Sequence, residues 1–257
     1  MPSRPVLPRA GRRPAARPGT TAAVVLAGGS GSRVAAALNK VYLPLAGRRV
    51  VSWSFTWARE VAEIGTFVLV VRPEDAELAE RTLRREAAGL HVRLVVGGGT
   101  RHESEQAALD HLADPIMDGA VEVVAVHDGA RPLAGPSLWR SVVRTAGAVG
   151  GAVPALPAVG VLTVGADGHP VVPGTGPGAG LARVQTPQAF RARELLKAYD
   201  DARAAGYQGT DTSCTAERHS NLTVQAVAGA RTNLKITYPH DLFLAERLLA
   251  EHHYRLP

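Results

Sequence analysis

Short runs of apolar and β-branched residues alternate with longer amphipathic stretches from residue 22 onward. This alternation is typical of a sheet whose strands are connected by helices. Several runs are apolar at every position, as expected for parallel strands buried between two layers of helices. The pattern predicts strands at Ala22–Ala27, Thr66–Val71, His91–Val96, Glu122–His127, Gly150–Pro154 and Thr223–Ala228.

The stretches between these strands have helical patterns. Pro73 and Pro136 suit a first helical turn, where the missing N–H of proline has no helical partner to lose. We expect helices at Val50–Val61, Pro73–Ala87, Ser104–Leu112, Pro136–Thr145, Arg191–Ala205 and 239–254. The chain therefore predicts a single α/β domain over residues 21–257, with a Rossmann-like, mostly parallel sheet and helices on both faces.

Residues 158–182 interrupt this rhythm. They contain seven glycines around two short apolar pieces, Val161–Val164 and Pro170–Val172. We expect this segment to form a protruding β-hairpin arm. An arm that leaves the core exposes its apolar side chains, so a second subunit is the expected partner.

Composition places the chain among globular proteins. Its 257 residues are 46% hydrophobic, enough to bury a sizeable core. The net charge of +6 is concentrated in residues 1–20, which hold five arginines, five prolines and no acid, and the rest of the chain carries only +1. This predicts a disordered basic tail, and the absence of aromatic residues from it argues against a nucleic-acid arm.

Targeting and redox signals are weak. The N-terminal residues have no apolar run that could serve as a signal peptide or membrane span, so we expect a cytoplasmic protein without a membrane partner. A single cysteine, Cys214, excludes an internal disulfide and offers no metal-ligand spacing.

The loop after the first predicted strand, residues 26–33, reads Leu-Ala-Gly-Gly-Ser-Gly-Ser-Arg. Ligands of open α/β sheets bind beyond the carboxyl ends of the strands, and glycines let backbone N–H groups approach an anion closely. The loop lacks the third glycine of a dinucleotide fingerprint and the Gly-Lys-Ser/Thr of a P-loop. A tight turn would also explain the glycines, but Arg33 and the nearby Lys40 favour a phosphate clamp.

Other candidates follow later strands. The loop Gly97–Ser104 enters a helix whose unpaired N–H groups could contact a base or ribose, although on its own a flexible turn capped by Ser104 is the better explanation. Asp128 ends a strand of valines, where a carboxylate is well placed to hold Mg²⁺, and the Arg131 that follows makes a simple turn less favourable. Lys235 lies in a strand-like piece and could act at the site or extend from a sheet edge.

Taken in order, these segments resemble the 2-C-methyl-D-erythritol 4-phosphate cytidylyltransferase family, whose members join CTP to methylerythritol phosphate. The resemblance covers about residues 22–250 and adds two segments, Val184–Phe190 and Gly209–Asp211. The glycine loop and Lys40 are common to many nucleotidyltransferases. Val-His-Asp-Gly-Ala-Arg-Pro, Gln-Thr-Pro-Gln and Leu-Lys-Ile-Thr point to this branch. The family implies a nucleotide-diphospho-sugar transferase-like fold and a homodimer joined through the arm.

The resemblance also implies roles for individual residues. Catalytic roles fall on Arg33 and Lys40, which would stabilise charge on the CTP phosphates, and on Lys235, which would position the acceptor phosphate. The implied nucleotide site contains Ala27, Gly28, Gly29, Gly31, Gly98, Ser104 and Asp128, and Asp128 is also the implied Mg²⁺ ligand. The implied acceptor site contains Arg131, Thr186 and Thr210.

The sequence departs from the family pattern mainly in the arm. Gly160-Val161 stands where the family has Asp-Thr, and Pro177-Gly178 where it has an acidic residue and Arg. If that Arg supports the acceptor phosphate, its loss removes a charge-assisted contact of roughly 1.5–3 kcal/mol. Near the first loop, Asn39 replaces Pro, Val41 replaces Gln and Leu26 replaces Pro.

These features predict an Mg²⁺-dependent cytidylyltransferase that transfers CMP from CTP to a polyol phosphate, with methylerythritol phosphate as the first candidate. The arm departures leave open a different acceptor, such as ribitol 5-phosphate or a sugar phosphate. A non-catalytic CTP-binding paralogue is another alternative, although a pure binder has no need for all of Arg33, Lys40, Asp128 and Lys235. A nucleic-acid module is a third, and it depends on the charge of the tail.

Overall fold

The computed structural model describes residues 16–29, 39–159 and 181–253, with side chains to residue 251. Gly31 and Arg33 lie outside the described residues, and so do the arm positions Gly160-Val161 and Pro177-Gly178. Within the described ranges, no helix has the length and apolar character needed to span a membrane.

The strands form one large sheet and one small hairpin. In chain order they are β1 (Thr21–Leu26), β2 (Pro44–Leu45), β3 (Arg48–Arg49), β4 (Ile64–Val71), β5 (Val92–Val96), β6 (Val123–Asp128), β7 (Gly150–Pro157), β8 (Ala182–Val184), β9 (Gln188–Arg191) and β10 (Thr223–Ala228). The large sheet has the order β10-β7-β9-β6-β1-β4-β5, with β8 paired to β7, while β2 and β3 form the hairpin. Strand β9 runs antiparallel to both β6 and β7, whereas β1 is parallel to β4 and β6.

Helices cover both faces of this sheet. They are α1 (Val50–Ala58), α2 (Ala76–Glu86), α3 (Arg101–His111), α4 (Ala113–Met117), α5 (Pro136–Val149), α6 (Ala192–Ala204), α7 (Thr212–His219) and α8 (Pro239–His253). In β1, Ala23 belongs to the apolar cluster that includes Trp139 of α5, and Val24 belongs to a second cluster that includes Leu109 of α3. Because both faces are covered, β1 is apolar at successive positions, and the predicted α/β fold is confirmed.

Strand β9 and helix α7 are among the elements that were not predicted. Strand β9 follows directly after Thr186 and Pro187, and its four residues are too few to show a periodic pattern. Helix α7 is short and polar, and its start is set by Asp211, whose carboxylate accepts a hydrogen bond from the Ser213 N–H at 2.8 Å. Both elements depend on tertiary contacts more than on local propensity.

Helix α3 begins earlier than expected. The Thr100 hydroxyl accepts a hydrogen bond from the Glu103 N–H at 3.1 Å, and the Glu103 carboxylate accepts one from the Thr100 N–H at 3.0 Å. This reciprocal pair is a capping box. Thr100 is therefore the cap, and the alternative in which Ser104 caps the helix was wrong, because Ser104 lies in the first turn.

The base of the predicted arm is an antiparallel ladder. Pro157 of β7 lies opposite Ala182 of β8, and the Ala158 N–H donates to the Leu181 carbonyl at 3.0 Å. Val159, where the described chain stops, is 85% exposed. The hairpin geometry is thus confirmed where the arm leaves the sheet, and its tip lies outside the described residues.

The end of the predicted basic tail lies against the domain. Arg17 forms an ion pair with Glu122 at 2.7 Å, and the Thr20 hydroxyl donates to the same carboxylate at 3.0 Å. Arg17 and Thr20 therefore both contact Glu122, which directly precedes β6. Residues 1–15 lie outside the described part of the chain.

Asn39 ties the first loop to the start of α2. Its side chain is buried, and its Nδ2 donates to the Ala27 carbonyl at 2.7 Å and to Asp75 Oδ2 at 2.8 Å. Asp75 is also paired with Arg72 at 2.8 Å. A proline at position 39 could make neither side-chain bond, so this departure from the family pattern has a structural role beside Lys40.

We expect Asn39→Ala to lower the free energy of unfolding by about 1–3 kcal/mol, because the Ala27 carbonyl loses a buried partner. Urea denaturation of both proteins measures this difference. The matched control is Asn221→Ala, which changes an exposed asparagine and should cost less than about 0.5 kcal/mol. Equal losses for the two variants would show that the Asn39 contacts are energetically unimportant.

Candidate active site

A cleft of about 470 Å³ opens at the carboxyl ends of β1 and β6, which are neighbours in the sheet. Leu26 and Asp128 are register partners, so the loops that follow these strands start side by side. The cleft is lined by Leu26, Gly28, Gly29, Lys40, Val41, Gly99, Thr100, Arg101, Ser104, Asp128, Ala130, Lys235 and Thr237. The predicted loops after β1, β5 and β6 therefore meet at one place, and Lys235 joins them.

Asp128 is the buried anion of this cleft. Lys235 Nζ lies 2.8 Å from its Oδ2, Arg101 pairs with its Oδ1, and Arg131 Nε lies 3.6 Å from Oδ2. Burial alone would raise the pKa of Asp128, but the surrounding cations hold that pKa well below its ordinary value. The carboxylate is therefore ionised at every pH of interest.

His127 supports Asp128 from behind. Its Nε2 lies 3.1 Å from the Arg131 carbonyl, which can only accept, so Nε2 carries the hydrogen. Nδ1 then accepts from the Thr186 hydroxyl at 3.1 Å, and the Thr186 oxygen accepts the Asp128 N–H at 3.0 Å. Burial lowers the pKa of His127 to about 4, so the ring is neutral. The hydroxyl of Thr186 is thus engaged in orienting Asp128.

The segment that carries Lys235 is irregular and is bound to the loop after β6. The Ile236 N–H donates to the Ala130 carbonyl at 2.8 Å, and Arg131 Nη1 donates to the Asn233 carbonyl at 2.8 Å. Although the apolar neighbours of Lys235 suggested a strand, these cross-links hold it outside the sheet. They hold the backbone of this segment so that the Lys235 side chain reaches Asp128.

Ser104 lies where the first and second loops meet. Its hydroxyl donates to the Thr100 carbonyl at 2.9 Å. A Cβ at Gly97 would lie 2.6 Å from this hydroxyl and 2.9 Å from Val70, so only glycine fits there. A Cβ at Gly28 would lie 3.5 Å from the same hydroxyl. The close packing of both glycine loops on Ser104 shapes this side of the cleft.

The remaining predicted residues lie elsewhere. Ala27 is fully buried behind the cleft, and Gly98 lines a neighbouring groove of about 440 Å³. Thr210 is exposed in the loop before α7 and does not contribute to the lining of the cleft in the described residues. Gly31 and Arg33 lie outside the described part of the chain, so their predicted roles stay predictions.

Arg101 is a cleft residue that sequence reasoning did not single out. It occupies the first turn of α3, pairs with Asp128, and also lies 3.0 Å from the buried Glu105. A cation two residues after the glycines Gly97–Gly99 could have indicated a phosphate contact, as Lys40 did after the first loop. An arginine at the start of a helix is usually exposed to solvent. Its position in the sequence therefore gave no reason to expect buried carboxylate partners.

The carboxylates of the cleft limit how it could hold a divalent cation. Among the residues that the structure describes, no group of three or more His, Cys, Asp or Glu side chains could hold a metal. Asp128 is the one carboxylate that lines the cleft in that part of the chain. Since Mg²⁺ keeps several waters and takes one or two carboxylates together with substrate phosphates, Asp128 fits as a single protein ligand beside a bound triphosphate.

Comparison with known proteins gives a consistent result. The family model for 2-C-methyl-D-erythritol 4-phosphate cytidylyltransferase matches residues 21–251. The protein of that name from Cereibacter sphaeroides (strain KD131 / KCTC 12085) is 40% identical over 231 residues, covering 90% of this chain and 97% of the relative. The one from Synechococcus sp. (strain JA-3-3Ab) is 34% identical and covers 89% of this chain and 96% of the relative.

Solved structures agree with this assignment. The 4-diphosphocytidyl-2C-methyl-D-erythritol synthase of Anaerococcus prevotii DSM 20548 is 25% identical with a TM-score of 0.74, covering 90% of this chain and 96% of the other. The 2-C-methyl-D-erythritol 4-phosphate cytidylyltransferase of Thermus thermophilus is 27% identical with a TM-score of 0.65, covering 89% and 98%. The match extends over nearly the whole domain, and the chain belongs to the 2-C-methyl-D-erythritol 4-phosphate cytidylyltransferase family.

Proposed function

We propose that this protein transfers CMP from CTP to 2-C-methyl-D-erythritol 4-phosphate and releases pyrophosphate. The observation that carries the proposal is the cleft in which Arg101 and Lys235 pair with the ionised Asp128 and Lys40 shares the lining, at the edge of the sheet where the glycine loops begin. Cations and glycines in this arrangement suit a triphosphate and a second phosphate. The names of the relatives support methylerythritol phosphate as the acceptor.

In the proposed reaction, an oxygen of the acceptor phosphate attacks the α-phosphorus of CTP in line. A new P–O bond forms while the bond to the β-phosphate oxygen breaks, and pyrophosphate leaves with that electron pair. Negative charge spreads over the phosphoryl oxygens as the bonds change, so fixed cations supply most of the stabilisation. Lys40 and Arg101, which line the cleft, would do this for CTP, and Arg33 keeps its predicted role.

Lys235 is assigned to the acceptor phosphate. It is held by Asp128 and remains 44% exposed toward the cleft. Arg131 lies behind Asp128 and adds to the positive charge there. No general base is needed, because a phosphate monoester is largely ionised above its second pKa of about 6. Asp128 is itself a poor proton acceptor, since the nearby cations lower its pKa, but its charge orients these cations.

We also propose that the reaction depends on Mg²⁺, with Asp128 as the protein ligand. When bound, the ion would neutralise charge on the triphosphate and orient its oxygens. Asp128 would have to share its oxygens between the ion and the cations that pair with it. The rest of the coordination would come from water and phosphate.

A homodimer joined through the arm is proposed on a separate observation. Val159, Leu181 and Val184, at the base of the arm, are 85%, 46% and 42% exposed. Exposed apolar side chains grouped on a protruding ladder are typical of a surface that another subunit covers.

The proposal predicts pyrophosphate release from CTP and methylerythritol phosphate, with ribitol 5-phosphate and sugar 1-phosphates as comparison acceptors. Lys235→Met should lower kcat/KM for the acceptor about tenfold to a hundredfold, since it removes a charged contact of about 1.5–3 kcal/mol. The matched control is Lys197→Met, which removes an exposed lysine paired with Asp201 and should have no effect. A folded wild-type protein that releases no pyrophosphate with any of these acceptors would disprove the proposed function.

The pH dependence of kcat/KM for the acceptor should show a single acid limb. Below about pH 6 the acceptor phosphate gains a proton, and the rate should then fall about tenfold per pH unit. Asp128 and His127 add no inflection between pH 5 and 9, because the pKa of Asp128 is lowered and that of His127 is about 4. Rates over this range at saturating CTP and Mg²⁺ test this, and a second inflection assigned to either residue would contradict it.

Removal of divalent cations should abolish turnover, and added Mg²⁺ should restore it. Asp128→Asn should raise the Mg²⁺ concentration needed for half-maximal rate, because a charged oxygen ligand becomes a neutral one. Asp201→Asn, at an exposed ion pair on α6, is the control and should leave the Mg²⁺ requirement unchanged. Full activity in excess EDTA would exclude the metal from the reaction.

A further inference from the structure

Glu105 is a buried carboxylate that the proposed mechanism does not use. It lies on α3, one turn after Arg101, and is 1% exposed. Its Oε1 accepts a hydrogen bond from the Thr212 hydroxyl at 2.7 Å, and its Oε2 accepts one from the Tyr199 hydroxyl. Helices α6 and α7 therefore both supply donors to this one side chain.

Arg101 connects this carboxylate to the cleft. Its Nε lies 3.0 Å from Glu105 Oε1 in an ion pair that lacks hydrogen-bond geometry, while its Nη1 donates to Asp128 Oδ1. Burial alone would lower the pKa of Arg101, but Asp128 and Glu105 raise it above its ordinary value. Burial raises the pKa of Glu105, and Arg101 is the cation that opposes this shift. Arg101 thus bridges two buried carboxylates, and only Asp128 lines the cleft.

The charge of Glu105 has no explanation in packing alone. A buried carboxylate costs free energy that an apolar side chain of similar size would not, and the neighbouring Ala108 and Leu109 show that α3 packs well with apolar residues. The hydroxyls of Tyr199 and Thr212 would be satisfied by any neutral acceptor. The partner that requires a negative charge at this position is Arg101.

We propose that Glu105 is a positioning residue that orients the Arg101 guanidinium toward Asp128 and the CTP phosphates. This inference rests on the proposed function of the cleft. An arginine on a long, flexible stem loses much rotamer freedom when it is held at one geometry, and a carboxylate behind it makes that arrangement available before the nucleotide binds. Since Thr212 adjoins Asp211, the same contact links α3 to the 209–213 segment.

The test is Glu105→Gln, which keeps the size of the side chain and removes its charge. The order parameter of the Arg101 Nε–H bond measured by NMR should be lower in the variant than in the wild type, because one of the two carboxylates that hold the guanidinium loses its charge. The kcat/KM for CTP should fall on the order of tenfold. The control is Glu63→Gln, because Glu63 is also buried and paired with an arginine, Arg144, at 2.5 Å. It should change neither measurement.

A double variant separates positioning from packing. If Glu105 acts through Arg101, adding Glu105→Gln to Arg101→Met should lower kcat/KM by less than about twofold, whereas independent packing losses would multiply.

If Glu105→Gln does not fold, Glu105→Asp provides the same measurements, since it withdraws the carboxylate from Arg101 by one methylene. An unchanged order parameter or multiplicative losses would overturn the proposal. An inactive wild type would overturn the proposed function, and the order parameter would still decide the role of Glu105.

Discussion

The buried charge of Asp128 is the interaction on which the cleft depends. An unpaired carboxylate at this depth would cost several kcal/mol, so the fold supplies Arg101, Lys235 and Arg131 as partners. These cations come from three separate parts of the chain, and without the carboxylate they would repel one another. Asp128 therefore brings the positive groups together and holds them around one carboxylate.

The sheet makes this arrangement possible. Parallel strands end at the same edge, so the glycine loop after β1 and the Asp128 at the end of β6 start next to each other. The antiparallel β9 pairs with β6, and Thr186 just before it reaches the backbone of Asp128 and the ring of His127. Asn39 adds a further tie by joining the first loop to the start of α2. The charged residues are thereby attached to rigid elements.

The electrostatics of the cleft suit the proposed substrates. Three cations around one carboxylate, with Lys40 on the same lining, leave an excess of positive charge for phosphate groups. The glycine loops allow backbone N–H groups to approach the same anions. Glu105 adds a second carboxylate that pairs with Arg101 and does not line the cleft, which is why we propose that it orients this cation.

The amino-acid sequence by itself determined the α/β class, the principal strands, and the candidate residues Gly28, Lys40, Asp128 and Lys235. The spacing of apolar residues indicates strands and helices, and glycines and charged residues after a strand indicate a binding loop. Both patterns involve residues that are close together in the sequence. The sequence could not assign Thr186 to Asp128, or Arg101 to Glu105 and Asp128. The partners of a polar side chain depend on contacts between distant segments, such as the 58 residues that separate Asp128 from Thr186. Only the tertiary structure decided which charges are buried together and which of them face the cleft.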